Sequence, residues 1–388
     1  VWLLTVSTGL CVATSYYCQP LLADIQHSLS MSQSATGLVV SVTQVGYVAG
    51  LVLVVPLGDL IERRRLLPAM TAALALCLAT AAAAPNAAVL LGASAAIGVL
   101  SVSAQLGVAF AASSAADDER GRVVGTVMGG LLVGILLART VAGYLAAFGG
   151  WRTPYVAAAV VMLCLAGVLR TGLPADGPRD RPSYARLLQS VAGLLRDEPV
   201  LRLRAAYGAA AFGAFTALWT PLAFLLTGPP YHYSTETVGL FGLLGVLGPP
   251  AASLAGRVAD RGHATATTAV SGCLLLLAWI PIGLGARHLT AMIVGLVLLD
   301  LAVQGLHITN QSQIYRLRPT AGSRITAAYM TVFFAGGVAG SVGATFAYTY
   351  SGWTAVSLVG AAFGALATTL WLVQAGRRSA RAGSHVAA

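Results

Sequence analysis

Twelve apolar runs, each long enough to cross a bilayer as a helix, divide this chain from end to end. They span 1–22, 35–58, 66–84, 87–115, 123–147 and 153–171, then 203–227, 236–257, 264–285, 289–315, 323–348 and 353–375. Crossing the hydrocarbon takes about 20 residues of helix. The runs are too long for buried strands, and the short alternating segments of an outer-membrane barrel are absent. With 57% hydrophobic and only 9% charged residues, against roughly a quarter charged in a soluble domain, most of the surface has to face lipid. The expected fold is an all-α membrane protein with twelve transmembrane helices. Forty-four glycines fit that solvent, because small residues let helices approach closely. The first run begins at Val1 with neither a basic leader nor a small-residue cleavage site, so it is expected to be a membrane helix and not a signal peptide.

Charge placement sets the expected orientation. The net charge is +10 and every cation is arginine, since the chain contains no lysine. Arg63, Arg64, Arg65, Arg120 and Arg122 lie in alternate connections of the first half, and Arg257, Arg261, Arg316, Arg318, Arg324 and the tail arginines do the same in the second. The opposite connections hold only Arg152 and Arg287. The positive-inside rule puts the arginine-rich side and both termini in the cytoplasm. Because the arginines sit in short clusters between apolar runs, nucleic acid is not an expected partner. Five scattered cysteines, Cys11, Cys18, Cys77, Cys164 and Cys273, show no metal or disulfide spacing and are expected to be small buried hydrophobes.

One connection is long. Residues 172–202 carry Pro174, Pro178, Pro182, Arg179, Asp180 and Arg181, a polar linker between the halves 1–171 and 203–388. Within it, Tyr184 to Arg196 places Leu187, Leu188, Val191, Leu194 and Leu195 at helical spacing. Such a helix either lies on the cytoplasmic membrane surface or packs on the ends of the loops.

The same device appears twice. Pro56-Leu57-Gly58-Asp59-Leu60-Ile61-Glu62-Arg63-Arg64-Arg65 stops the second run, and Gly256-Arg257-Val258-Ala259-Asp260-Arg261-Gly262 comes at the end of the eighth. Asp59 matches Asp260, Arg122 matches Arg324 and Met128 matches Met330 at a nearly constant offset. An internal repeat of this kind decides architecture before local detail does. It points to two parallel six-helix halves about an axis along the membrane normal, with a substrate site near the midplane.

At these residues the chain resembles the major facilitator superfamily, whose loop between helices 2 and 3 has the pattern G-x-x-x-D-R-x-G-R-R. Asp59 takes the aspartate position, with Arg63, Arg64 and Arg65 at the basic end, while Val55, Leu60 and Glu62 depart from the pattern. In the second copy Gly256, Asp260 and Arg261 fit, followed at once by Gly262. Gly149-Gly150-Trp151-Arg152 and Asn310-Gln311 look like bacterial drug or sugar efflux members of that family. The resemblance implies that Asp59, Arg63, Arg64, Gly256, Asp260 and Arg261 form a latch that holds in one conformation and breaks in the other. The plainer alternative is that these charges anchor helix ends.

Two ionisable side chains fall inside the predicted hydrocarbon: Arg139 in the fifth run and Asp300 in the tenth. An intramembrane charge costs about 2.5–3.5 kcal/mol on insertion scales, so each has to face protein or a wet cavity. Gln304, His307 and Gln311 follow Asp300 at spacings that put all four on one helix face. Asp300, Arg139 and His307 are the candidates for proton coupling. The resemblance implies that helices 1, 4, 7 and 10 line the central cavity. Candidate cavity residues are Tyr17, Gln19, Gln44, Gln105, Trp219, Gln304, Asn310 and Gln311, with Pro20 expected to end the first helix. Against the family's antiporter signature G-x-x-x-G-P-x-x-G-G the chain has Gly134, Ala138, Arg139, Ala142 and Gly143, so alanine replaces two glycines and Arg139 stands where proline would.

The function these features imply is secondary active transport, as proton-coupled efflux of drug- or sugar-like organic molecules by alternating access. The alternative is proton-coupled uptake of a sugar or organic acid, with Arg139 meeting a carboxylate. A phosphate loop of the usual form needs a lysine, and neither H-E-x-x-H nor G-x-S-x-G occurs, so neither an ATP-driven pump nor an enzyme is expected. No cofactor or metal is expected. The expected partners are a small-molecule substrate, protons and membrane lipid, for a monomer in the bacterial cytoplasmic membrane.

Overall fold

The computed structural model describes residues 1–115, 119–174, 183–247, 255, 257–315, 317 and 322–386. Every regular element among them is helical. Nine helices among the described residues are long and apolar enough to cross a membrane. Three local features separate that number from the twelve runs. The first run is broken in two, residues 248–254 of the eighth lie outside the description, and the last two runs are continuous across a kink.

The break in the first run is chemical. α1 (Trp2–Ala13) and α2 (Cys18–Ser28) are separated by a turn at 14–17. Thr14 Oγ1 donates to the Cys11 carbonyl at 2.8 Å and lies 2.8 Å from Ser101 Oγ. Short hydroxyl side chains offer the backbone local partners and so loosen a helix from within. Pro20 does not end this helix, contrary to expectation. It is the third residue of α2, where a backbone N–H would have no intrahelical partner, so its missing donor costs nothing.

The remaining helices follow in order: α3 (Gln33–Leu53), α4 (Arg63–Ala82), α5 (Ala87–Ser101), α6 (Ser103–Ser114), α7 (Arg120–Gly149) and α8 (Arg152–Gly172). After these come α9 (Tyr184–Asp197), α10 (Pro199–Trp219), α11 (Leu222–Thr227), α12 (Thr235–Leu240), α13 (Ala264–Leu277), α14 (Trp279–Leu284), α15 (Leu289–Tyr315) and α16 (Gly322–Val386). The amphipathic stretch of the linker is α9, and its Tyr184 hydroxyl donates to the Leu53 carbonyl at 2.6 Å. α16 is interrupted at Gly352, whose φ of 69° is open to glycine and strained for other residues. That kink falls between the eleventh and twelfth runs.

The chain packs as two units: Val1–Gly193 with Trp219–Val246, and Leu194–Leu218 with Leu247–Ala388. In the first, α1 lies on α7, α3 on α5 and α4 on α8. The α3–α5 crossing is set by Gly46 and Gly98. A methyl at Gly46 would stand 2.1 Å from the Ala95 carbonyl oxygen, and one at Gly98 would stand 2.0 Å from that of Thr43. The turn between α7 and α8 is stitched by Gly150-Trp151-Arg152. Gly150 adopts φ 80°, Trp151 is buried edge-on against Tyr155, and the Arg152 guanidinium lies 4.3 Å above the Trp151 ring. Arg152 also donates to Ser28 Oγ at 3.1 Å and to the Ala84 carbonyl at 3.0 Å, which gives this otherwise isolated arginine a structural reason to be where it is.

In the second unit α10 packs on α16. Phe212 stacks on Phe333 with ring centroids 4.4 Å apart, and Thr216 donates to the Gly337 carbonyl at 2.8 Å. α13 lies against α15 and α16, and Trp353 Nε1 donates to the Ile282 carbonyl at 2.8 Å. Large apolar side chains such as Phe148, Leu76, Leu163 and Tyr350 point outward, as a lipid-facing surface requires. The five cysteines are free thiols. Cys11 and Cys18 are buried as expected, but Cys164 and Cys273 are exposed on outward faces, because an apolar run says nothing about which side of its helix meets protein.

Candidate functional site

In the first unit the site is built around Arg139, which is only 3% exposed. α7 carries it, the turn between α1 and α2 brings Tyr16 to it, and the first turn of α2 brings Gln19. Arg139 Nε donates to Gln19 Oε1 at 2.5 Å. Its guanidinium carbon lies 3.9 Å from the Trp219 ring centroid and 5.1 Å from that of Tyr16. A desolvated cation over an aromatic face gains about 2 kcal/mol, and a hydrogen bond to a charged group about 1.5–3 kcal/mol. Together these offset the cost of holding the charge in hydrocarbon. Gln19 Nε2 is buried without a hydrogen-bond partner among the described residues, so the amide presents an unused donor beside the arginine.

Of the other residues expected here, Tyr17 caps the start of α2 and is buried, as is Gln44 on α3. Gln105 on α6 donates from Nε2 to the Tyr47 hydroxyl at 3.3 Å. A separate cavity of about 710 Å³ opens at the ends of α2, α7 and α12, lined by Asp24, His27, Gln33, Tyr233 and Glu236 among others. Asp24 Oδ2 accepts from Thr235 Oγ1 there at 2.7 Å. Sequence reasoning passed over Asp24 and Glu236 because each lies at the polar end of its run.

In the second unit α15 carries the polar stripe. Asp300, Asn310 and Gln311 are buried, and Gln304 and His307 are half-buried. His307 Nδ1 lies 3.2 Å from the Tyr329 hydroxyl, which also accepts from Asn310 Nδ2 at 3.5 Å. The ring of Phe333 stands 4.8 Å from that of His307. Arg204, 4% exposed, donates to Thr268 Oγ1 at 2.8 Å and to Asn310 Oδ1 at 3.4 Å. Tyr207, beside it, donates to Gln374 Oε1 at 3.2 Å. The result is a polar network linking α10, α13, α15 and α16. Arg204, Thr268, Tyr329 and Gln374 were not foreseen. Arg204 sits five residues into its helix, where an arginine is ordinarily interfacial, and the only signal for the others was polarity at scattered positions in apolar runs.

The latch residues are partly visible. Arg63 is buried. It donates from Nε to the Gly58 carbonyl at 3.1 Å, and from one terminal nitrogen to the Ala109 carbonyl at 3.3 Å and to Ser113 Oγ at 2.8 Å. It thereby ties the loop before α4 to the end of α6. Arg64 and Arg261 are exposed. Gly256 and the side chains of Asp59 and Asp260 lie outside the described residues. Among the described residues no cluster of three His, Cys, Asp or Glu residues could hold a metal ion.

Residues 4–341 match the family model described as Major Facilitator Superfamily. The chain is 46% identical over 369 residues to the uncharacterized transporter YgaY of Escherichia coli O157:H7, covering 95% of this chain and 94% of that protein. Among solved structures, a bacterial homolog of the human lysosomal transporter Spinster superposes with a TM-score of 0.75 at 12% identity, covering 96% of this chain and 95% of that one. A D-xylose–proton symporter superposes with a TM-score of 0.73 at 15% identity, covering 95% and 96%. Both structural likenesses concern the fold. The all-helical architecture of membrane spans, the residues matched and the relative at nearly half identity agree: the chain is a multi-pass membrane transporter and belongs to the Major Facilitator Superfamily.

Proposed function

We propose that this transporter is a proton-coupled exporter of small amphipathic organic molecules, working by alternating access of the halves 1–171 and 203–388 across the linker 172–202. It acts as a monomer in a bacterial cytoplasmic membrane with both termini inside. The observation that carries the reading is the buried Arg139 guanidinium held by Gln19 between the rings of Tyr16 and Trp219. Aromatic walls accept an apolar body, while a cation and an amide donor engage a polar or anionic end. Asp300, buried on α15, is the proton-carrying carboxylate, with His307 as an auxiliary titrating group. In the second unit Gln304, Asn310 and Gln311 are the residues assigned to substrate, and Arg63, Arg64, Arg261, Asp59, Asp260 and Gly256 control the exchange of conformations. The export direction rests on the likeness of Gly149-Gly150-Trp151-Arg152 to efflux members.

A second reading, uptake of an organic acid with protons, is favoured by the same guanidinium, a cation suited to a carboxylate. Counterflow of a compound library into proteoliposomes, with pH gradients of either sign, separates the two. Antiport predicts accumulation only when the interior is the more acidic side, and loss of accumulation with a protonophore. Accumulation driven by an acidic exterior establishes symport instead.

A further inference from the structure

The sharpest unassigned feature is a cleft of about 870 Å³ on the first unit, between the start of α4 and the end of α8. Both helices are membrane spans, so their ends lie at headgroup depth. Arg64, Arg65 and Arg170 converge on the rim, with Glu62 beside them. Glu62 is occupied: its Oε2 lies 2.9 Å from Arg65 Nε. Arg64 and Arg170 are exposed and have no hydrogen-bond or ion-pair partner among the described residues. Below the rim the cleft continues between the helices as an apolar slot lined by Pro68, Ala72, Leu163 and Gly167. A methyl added at Gly167 would meet nothing within 4 Å, so the missing side chain leaves the slot open.

We propose that this cleft binds one anionic phospholipid, the phosphodiester between Arg64 and Arg170 and an acyl chain in the slot along Gly167. Two unpaired guanidinium groups suit a phosphate better than a point cation does, because each presents a planar fork of donors. A soluble phosphate compound would use the rim alone and would be indifferent to what fills the slot beside Gly167. Basic pockets between membrane helices at their cytoplasmic ends are a recurrent way to hold acidic headgroups.

The test uses the full chain in mild detergent, titrated with phosphatidylglycerol, phosphatidylcholine and sn-glycerol 1-phosphate and read by native mass spectrometry. One phosphatidylglycerol is expected to remain per chain, bound about tenfold or more tightly than phosphatidylcholine. An arginine near a charged headgroup is worth about a fivefold change in affinity. Arg170→Gln is therefore expected to weaken retention about fivefold, and Arg64→Gln with Arg170→Gln about thirtyfold. Gly167→Leu keeps both charges, has room for its Cβ and is expected to expel the lipid. Equal retention of the two phospholipids, or unchanged phosphatidylglycerol binding in Gly167→Leu, overturns the proposal. Tight glycerol phosphate binding that ignores Gly167→Leu would instead identify a site for a soluble phosphate compound. Should the double arginine variant fail to fold, Gly167→Leu and Arg170→Gln alone decide the outcome.

Discussion

Arg139 Nε and Gln19 Oε1 are 2.5 Å apart, joining the middle of α7 to the first turn of α2 across 120 positions of sequence. The amide does two things at once. It fixes the guanidinium plane between two aromatic rings, and it is itself fixed, with its nitrogen left to donate elsewhere. Gln19→Glu would convert this contact into a buried ion pair. It is expected to leave thermal stability intact while reducing counterflow of anionic solutes at least about tenfold, because the positive charge is then answered from within. Gln19→Ala leaves the buried charge short of a partner, at a cost of about 1.5–3 kcal/mol. Thermal unfolding and counterflow on the same preparations check both outcomes, and an unaffected Gln19→Glu would show that Arg139 does not meet solute.

Asp300 is the buried carboxylate of α15. If it carries the proton, Asp300→Asn freezes the group in its neutral form. Exchange of labelled for unlabelled solute should survive, while accumulation driven by a pH gradient should vanish. Gradient-driven accumulation at the wild-type rate in Asp300→Asn would remove Asp300 from the coupling mechanism.

Arg139 and Asp300 were legible because a charge inside an apolar run costs enough to need a reason. Arg204 was not, although it is as deeply buried, because it lies close to Arg202, which is exposed, and sequence alone does not separate the two. The spans themselves were legible from hydropathy, and the gap between the last two runs marked an interruption that the structure makes as a kink at Gly352. The split of the first run was not. It depends on Thr14 bonding back to Cys11 and across to Ser101, a contact between residues 87 positions apart. Nor does any periodicity pair His307 with Tyr329, which meet only because α15 and α16 are adjacent. Hydrophobic pattern records which residues avoid water, and partners across helices are set by packing that the pattern does not contain.

The glycines of α7 are not equivalent. A methyl at Gly134 would lie 2.2 Å from the Gly9 carbonyl oxygen and one at Gly130 would lie 2.5 Å from that of Thr5, both on α1, whereas Gly125 and Gly129 have nothing within 4 Å. Gly129→Ala is expected to be neutral or to stabilise by at most about 1 kcal/mol. Gly134→Leu forces α1 and α7 apart and is expected to cost about 1–3 kcal/mol or more. Unfolding temperatures of the two variants in one detergent decide the matter, and equal values would show that the helices do not touch at this crossing.

Tyr329 is fully buried and its hydroxyl serves both His307 and Asn310. Tyr329→Phe keeps the ring packing on Phe333 but strands two polar groups. A lost buried hydrogen bond costs about 1–3 kcal/mol when a partner is left unsatisfied. The expected result is a lower unfolding temperature together with altered pH dependence of transport, since the His307 ring has lost the contact at Nδ1. Asn310→Leu with Tyr329→Phe should be less harmful than the sum of the single changes, because residues in one network couple. Strict additivity would mean that the two act separately.

The arginine distribution predicts an orientation that can be read without any transport assay. In a cysteine-free background, single cysteines at Arg65 and Arg261 mark the arginine-rich connections, and those at Ser30, Gly150 and His232 mark the opposite ones. All five are exposed, so each is open to an impermeant maleimide applied to intact cells. Positions 30, 150 and 232 are expected to react from outside, and positions 65 and 261 only after the cells are opened. Removing the five native cysteines confines the label to the introduced position, since Cys164 and Cys273 are themselves exposed. The force behind this arrangement is the cost of moving a guanidinium through hydrocarbon, about 2.5–3.5 kcal/mol even on the mildest scale. Each of the two clusters therefore opposes inversion of its own half. If Arg65 and Arg261 label from opposite sides, the halves are not parallel repeats and alternating access about a shared axis fails with them.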